Sequence, residues 1–322
     1  MPRLSLGLGV QNARRIKSGS SAPFSPTDLS GLSLWLKADA GVTTTSQSFI
    51  NQIVLTDAGT PSSNGTYTRT YGGYTQFTSQ NNNTLAYNES DGVWYLADNN
   101  SGQTYYCGET LDTNSWGEQD GASPAPTASN TNGTQYLVNS WSDQSGNGNN
   151  ASPANYPIYI SSLINSKPSI NFFTNTSYFN LASNIDPIKT IICVYKTNTT
   201  PTNYQAIVES NFGLYSAIAS NQFGTYLQAE IGYGTLVANT SYILIVESND
   251  GLNSNGYLNN VAYSDSSGGG FDTKGYVQIG AGQSGAQPCN GYISEVIIYN
   301  RVLTTQERQQ VQAYLNTKYA IY

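Results

Sequence analysis

GYISEVIIYNRVLTTQERQQVQAYLNTKY, Gly291 to Tyr319, carries two periodicities in one stretch. Its first ten residues are rich in β-branched and aromatic side chains and read as a strand. After Arg301 the pattern changes. Thr304 and Glu307 form T-x-x-E, a capping box, and Val311, Ala313, Tyr314 and Leu315 then supply an apolar stripe that runs to Lys318. This is the one convincing helical signal in the sequence, so the helix is expected to cap a body made of strands.

Working outward, short strand runs recur between turn residues: SINFF, KTIICVYK, YQAIVES, GLYSAIA, TYLQAEIG, SYILIVES, GYLNNVAYS and GYVQIG. With the strand just quoted they make nine, which suggests two packed antiparallel sheets. In GYLNNVAYS, Asn259-Asn260 between Leu258 and Val261 marks a two-residue hairpin, because Asn tolerates the positive φ such a turn demands. Towards the other end, LSLWLK alternates Leu32, Leu34 and Leu36 with Ser33, Trp35 and Lys37, a strand with one buried face. Trp35 and Trp141 read as sandwich residues, and Cys193 in IICVY as a buried strand residue.

Residues 53–137 have another texture. Short Tyr/Trp runs (NGTYTRTYGGYTQF, GVWYLAD, QTYYCGE) alternate with NG, GG, NNN and DG turns, as in a small inserted β-module. The expected organisation is a basic N-terminal arm and linker over 1–28, a sandwich formed by 29–52 plus 138–322, and the insert between them. Sugar rings stack on exposed aromatic faces flanked by amides and acids. Trp116, Tyr106, Tyr105 and Trp94 are therefore the candidate glycan platform.

The stretch WSDQSGNGNNASP, Trp141 to Pro153, places Asp143, Ser145, Asn147 and Asn149 at every second position, as the front half of a calcium loop does. The bidentate acid is missing: Ala154 stands where it should fall. One carboxylate is too little charge for a tight site, so Asp143 is a weak metal candidate. It is expected instead to hold the backbone N–H groups of a glycine-rich turn, and no cofactor is expected.

Of the 322 residues, 38% are hydrophobic and 10% charged, with a net charge of −7. That balance argues against nucleic acid as a partner, since phosphate binding needs clustered Lys and Arg. The local exception is the arm, where Arg3, Arg14, Arg15 and Lys17 precede the first acid, Asp28. No secretory signal and no bilayer-spanning segment are expected. Three separated cysteines fit neither a disulfide framework nor a metal motif. With no histidine, Ser-His, Cys-His and histidine-metal chemistries are excluded.

LSGLSLWLKADAGV, WSDQSGNGNNA and GYISEVIIYNRVLTTQERQQVQAYLNTKY, in that order, resemble the LamG-like branch of concanavalin A-like jelly-roll domains. The resemblance covers roughly residues 29–55 and 138–320. It implies an all-β antiparallel jelly-roll sandwich with one C-terminal helix, and binding of glycans or proteins through loops, often with calcium. Glycosidases of this fold carry E-x-D-x-x-E along one strand; the nearest approach here is Glu118 and Asp120, without the third acid, so no enzyme is expected. The basic opening MPRLSLGLGV with its Pro/Ser linker is similar to the openings of structural proteins of tailed bacteriophages. On that likeness the chain is expected to be a virion protein of head-decoration or fibre type, anchored to other virion proteins by its arm. It would form a homo-oligomer, a trimer by preference, and display a lectin-like sandwich to host glycans. A stand-alone glycan-binding lectin is the alternative, with a glycosidase ranked behind it.

Overall fold

The computed structural model describes residues 23–56, 65–69, 76–79, 83–88, 93–98, 104–108, 116–118, 127–172, 177–219, 221–272 and 274–322. Its first strands are β1 (Leu32–Lys37), β2 (Val42–Thr56), β3 (Gly65–Arg69), β4 (Gln76–Ser79), β5 (Asn83–Asn88), β6 (Val93–Asp98), β7 (Thr104–Gly108), β8 (Trp116–Glu118) and β9 (Thr127–Trp141). Then come β10 (Ala151–Ala154), β11 (Ile158–Ile164), β12 (Lys167–Asn171), β13 (Tyr178–Leu181), β14 (Thr190–Thr197), β15 (Ala206–Glu209) and β16 (Leu214–Ala219). The remainder are β17 (Gln222–Tyr226), β18 (Glu230–Thr235), β19 (Ser241–Glu247), β20 (Ser254–Leu258), β21 (Val261–Asp265), β22 (Gln278–Ile279), β23 (Gly291–Tyr299) and one helix, α1 (Thr305–Tyr319).

The strand read from Gly291 lies inside the first sheet. β23 pairs on one side with β14 and on the other with β1 and β12, and the sheet continues through β19, β20 and β21. A second sheet runs β10, β13, β22, β15, β16, β17, β18. All these pairs are antiparallel. The inward residues interdigitate between the sheets: Ile191, Cys193, Leu244, Val246, Val296 and Ile298 from the first meet Phe179, Leu214, Phe223, Ile231 and Ile279 from the second, together with Trp141. The all-β sandwich expected from the sequence is therefore the observed fold. The hairpin at Asn259-Asn260 has φ values of 54° and 100°, as its turn chemistry requires.

The two outer faces are covered differently. α1 lies on the outer face of the first sheet, where Val311, Leu315 and Tyr319 pack on Ile192, Val194, Ile243, Ile245 and Ile297. Its capping box forms as expected, Thr304 Oγ1 accepting from Glu307 N while Glu307 accepts from Thr304 N. Trp35, assigned to the open face of its strand, is also buried, because α1 covers that face. On the outer face of the second sheet the described residues bury a smaller group, Ala206, Tyr215 and Ile218, with Tyr204 and Tyr226 against them.

β2 and β9 pair from Val42 opposite Trp141 to Thr56 opposite Thr127, a long two-stranded ribbon. Between them β3 to β8 follow as an antiparallel meander, each strand pairing with the next, with Ile53, Leu55, Tyr67, Leu85 and Leu96 fully buried.

Candidate functional site

The loop after Trp141 is a staple. Both oxygens of Asp143 are taken by the protein: Oδ1 accepts from Trp35 N at 3.0 Å and Ser145 N at 2.9 Å, and Oδ2 from Ser145 Oγ at 2.7 Å and Asn149 N at 3.0 Å. Asn147 and Asn149 turn their amides towards β1, donating to Leu32 O at 2.8 Å and Ser33 O at 2.9 Å. Gly146 and Gly148 take φ of 89° and 75°, a region that L side chains rarely adopt. The alternating oxygens thus fasten the loop to β1, and among the described residues no group of three His, Cys, Asp or Glu side chains converges to hold a metal.

The aromatic candidates of the meander are only partly described. Trp94 on β6 is half-buried, and in register it stands opposite Gly108, which in turn stands opposite Trp116. The side chains of Trp116, Tyr106 and Tyr105 lie outside the described residues. So do Arg3, Arg14, Arg15 and Lys17 in their entirety.

A cluster that the sequence reading passed over lies on the thinly covered face of the second sheet. Glu209 ends β15 with its side chain only 5% exposed, and it accepts hydrogen bonds from the Tyr215 hydroxyl and from Lys274 Nζ. Lys274 also lies 3.3 Å from Asp272 Oδ2 and 5.5 Å from the centroid of the Tyr226 ring. Tyr204 packs on Tyr215 with ring centroids 4.8 Å apart. Tyr276, two residues before β22, completes a half-buried trio with Tyr204 and Tyr226.

The strand pattern explains this spacing. Period-2 alternation sends Leu214, Phe223 and Ile231 inward and leaves Tyr215, Gly224, Tyr226 and Glu230 to the outer face. Tyr215 pairs with Gly224, and Gly224 with Gly232, and the Ile218 side chain packs over Gly224 while the Tyr215 ring lies over Gly213. The next row is Tyr226 opposite Glu230. Gly224 is required by close strand approach: a Cβ there would come within 1.9 Å of the Ile231 carbonyl oxygen. Tyr204, Tyr226 and Tyr276 thus stand as an aromatic patch around the Glu209–Lys274 pair.

The electrostatics are those of a crowded anion. Burial, and then the charge of Glu209, push the Tyr204 and Tyr215 hydroxyls above their ordinary range, and Tyr276 is raised by the same two causes. Burial pulls the Lys274 ammonium down, but its bonds and attraction to Glu209 and Asp272 outweigh this and leave it raised. The tyrosines are therefore neutral and the lysine charged across the neutral pH range. Neutral phenols offer apolar faces and hydroxyl donors, and the carboxylates offer acceptors, a combination suited to a polyhydroxylated ring.

No protein-family model and no curated protein matches the chain. Solved structures similar to it include domain 4 of AbnA, a GH43 extracellular arabinanase from Geobacillus stearothermophilus, in complex with arabinotriose (13% identity over 52% of this chain and 91% of that one, TM-score 0.42). Trypanosoma rangeli sialidase in complex with the inhibitor DANA matches 54% of this chain at 12% identity and TM-score 0.41. An arabinofuranosidase complexed with arabinofuranosyl-alpha-1,2-xylobiose matches 89% at 12% identity and TM-score 0.47. The chain spans 30% of the sialidase and 62% of the arabinofuranosidase.

These neighbours are β-folds of carbohydrate-active proteins, and they overturn one expectation. The absence of histidine and of E-x-D-x-x-E does not make the chain a non-enzyme, since it is similar to sialidase and arabinofuranosidase structures. At such identities and scores the likeness assigns no activity. It also gives no support to the LamG-like or phage assignments, which stand on the motif resemblance alone.

Proposed function

We propose that this chain is a glycan-binding β-sandwich whose ligand lies across Tyr204, Tyr226 and Tyr276. The observation that carries the reading is the aromatic patch, which as a ligand site would be a shallow trough: three half-buried tyrosines around a buried Glu209 paired with Lys274, on a sheet face that no helix of the described residues covers. A pyranose or furanose face stacks on Tyr226 or Tyr204, while Asp272 and the tyrosine hydroxyls engage its hydroxyls. Single contacts of this kind are weak, and display in several copies supplies avidity. The segregation of Arg3, Arg14, Arg15 and Lys17 supports the accompanying proposal that residues 1–28 attach the sandwich to a larger assembly, a virion with trimeric display being the form expected from the motif resemblance. A glycan array probed with the whole chain and with the Tyr204→Ala/Tyr226→Ala double variant tests the binding reading. Wild-type signal that disappears in a folded double variant supports it; equal signal from both removes the trough as the site.

A further inference from the structure

The groups around the trough are unequally charged. Glu209, Asp272 and Glu230 bring three carboxylates; Lys274 brings the one ammonium described beside them. That ammonium is committed, held by Glu209 and standing 3.3 Å from Asp272. Glu230, exposed and in register with Tyr226, faces the solvent side of the same rows. Among the described residues, an approaching ligand therefore meets a net charge of −2 and no unengaged cation.

Resting on the reading of the trough as a glycan site, we propose that its ligand class is uncharged oligosaccharide, and that sugars bearing a carboxylate are rejected by the field of Glu209, Asp272 and Glu230. The physical reason is differential. A neutral sugar hydroxyl donates to a carboxylate and gains a charge-assisted hydrogen bond. A uronic or sialic acid brings a second anion to the same place, where only Lys274 could answer it, and Lys274 would first have to leave Glu209 uncompensated in a buried position. Selectivity here comes from a repulsive element as much as from stacking. The raised tyrosine hydroxyls register the same resistance to added negative charge beside Glu209.

The test compares matched probes on the whole chain: fully methyl-esterified polygalacturonan against its free acid, which share one backbone and differ in the charge at C6, and neutral against sialylated galactosides. At low ionic strength the wild-type chain is expected to bind the neutral member of each pair at least tenfold more strongly. Glu230→Gln, at an exposed position, and Glu230→Gln with Asp272→Asn are expected to bring that ratio progressively towards one. Added salt is expected to narrow it, because the outer charges are open to screening. Stronger wild-type binding to the acidic member of either pair overturns the proposal, as does a ratio unmoved in the double variant. Should the folded protein bind no glycan of any kind on a broad array, the glycan reading itself falls, and this inference with it.

Discussion

Two sites in this sandwich are built from the same kit and put it to different ends. On the first sheet, Glu295 is fully buried and accepts from Trp35 Nε1 at 2.6 Å, Tyr314 at 3.1 Å, Lys318 at 2.8 Å and Tyr319 at 2.9 Å, with Asp39 completing a bridge to Lys318 at 2.9 Å. On the second sheet, Glu209 meets Tyr215 and Lys274, with Asp272 again bridging the lysine. Each is an outward-pointing Glu with tyrosines, a lysine and an outer Asp. The difference is the helix. α1 supplies three of the four partners of Glu295 and seals the network, so each carboxylate oxygen is satisfied twice from within. Among the described residues no helix lies over Glu209; Tyr215 beside it is buried, while Tyr204, Tyr226 and Tyr276 remain half-buried. One arrangement holds the helix to the sheet; the other leaves an aromatic surface facing outward.

That contrast gives the largest expected effect. Glu295→Ala leaves Lys318 and two tyrosine hydroxyls without their buried acceptor and should cost about 3–5 kcal/mol, lowering Tm by on the order of 10 °C. A melt followed by circular dichroism checks it, and a loss as small as that of a surface substitution would break the comparison. Next comes the loop staple: Asp143→Ala removes the acceptor of three backbone N–H groups and one hydroxyl, for a cost of about 2 kcal/mol by denaturant titration. Depletion of divalent ions should leave the wild-type melt unchanged, since that carboxylate is already satisfied by the loop.

The smallest effect belongs to the helix cap. Arg301 first, and then the Thr304 N–H, hold the Glu307 carboxyl down at about 2. Its folded value lies below its unfolded one, so its contribution is present above about pH 4.5 and is lost as the pH falls from there towards 2. The pair is part-buried at the surface, and solvent screening keeps the contribution below about 1 kcal/mol. Glu307→Gln should therefore lower Tm slightly at pH 7 and hardly at all at pH 2.

Much of the architecture was legible because it is written in local rules. The capping box at Thr304, the Asn259-Asn260 turn and the uninterrupted apolar run of β14 each determine their own conformation. Asp143 was legible for the same reason, since its partners Ser145 and Asn149 are neighbours in the chain. The Glu209 cluster was not, because its members come from the residues just before β15, from β15, β16 and β17, and from the segment before β22, up to 72 positions apart, from Tyr204 to Tyr276. In YQAIVES the glutamate reads as the polar end of a buried strand. What could have pointed to it is a row: Tyr215, Gly224 and Gly232 alternate outward once strand pairing is known, and pairing is long-range information. Trp35 was misread on one point for a related reason, as nothing within LSLWLK reveals that a helix 270 positions later lies on its face.

Where a sugar sits is the central question, and titration calorimetry answers it most directly. The strongest glycan from the array is titrated into the wild-type chain, Tyr226→Ala and Trp94→Ala, with melts confirming that each variant is folded. The trough account expects at least a tenfold loss of affinity in Tyr226→Ala and wild-type affinity in Trp94→Ala. Affinity retained in Tyr226→Ala and lost in Trp94→Ala would contradict it and move the site to the meander between β2 and β9.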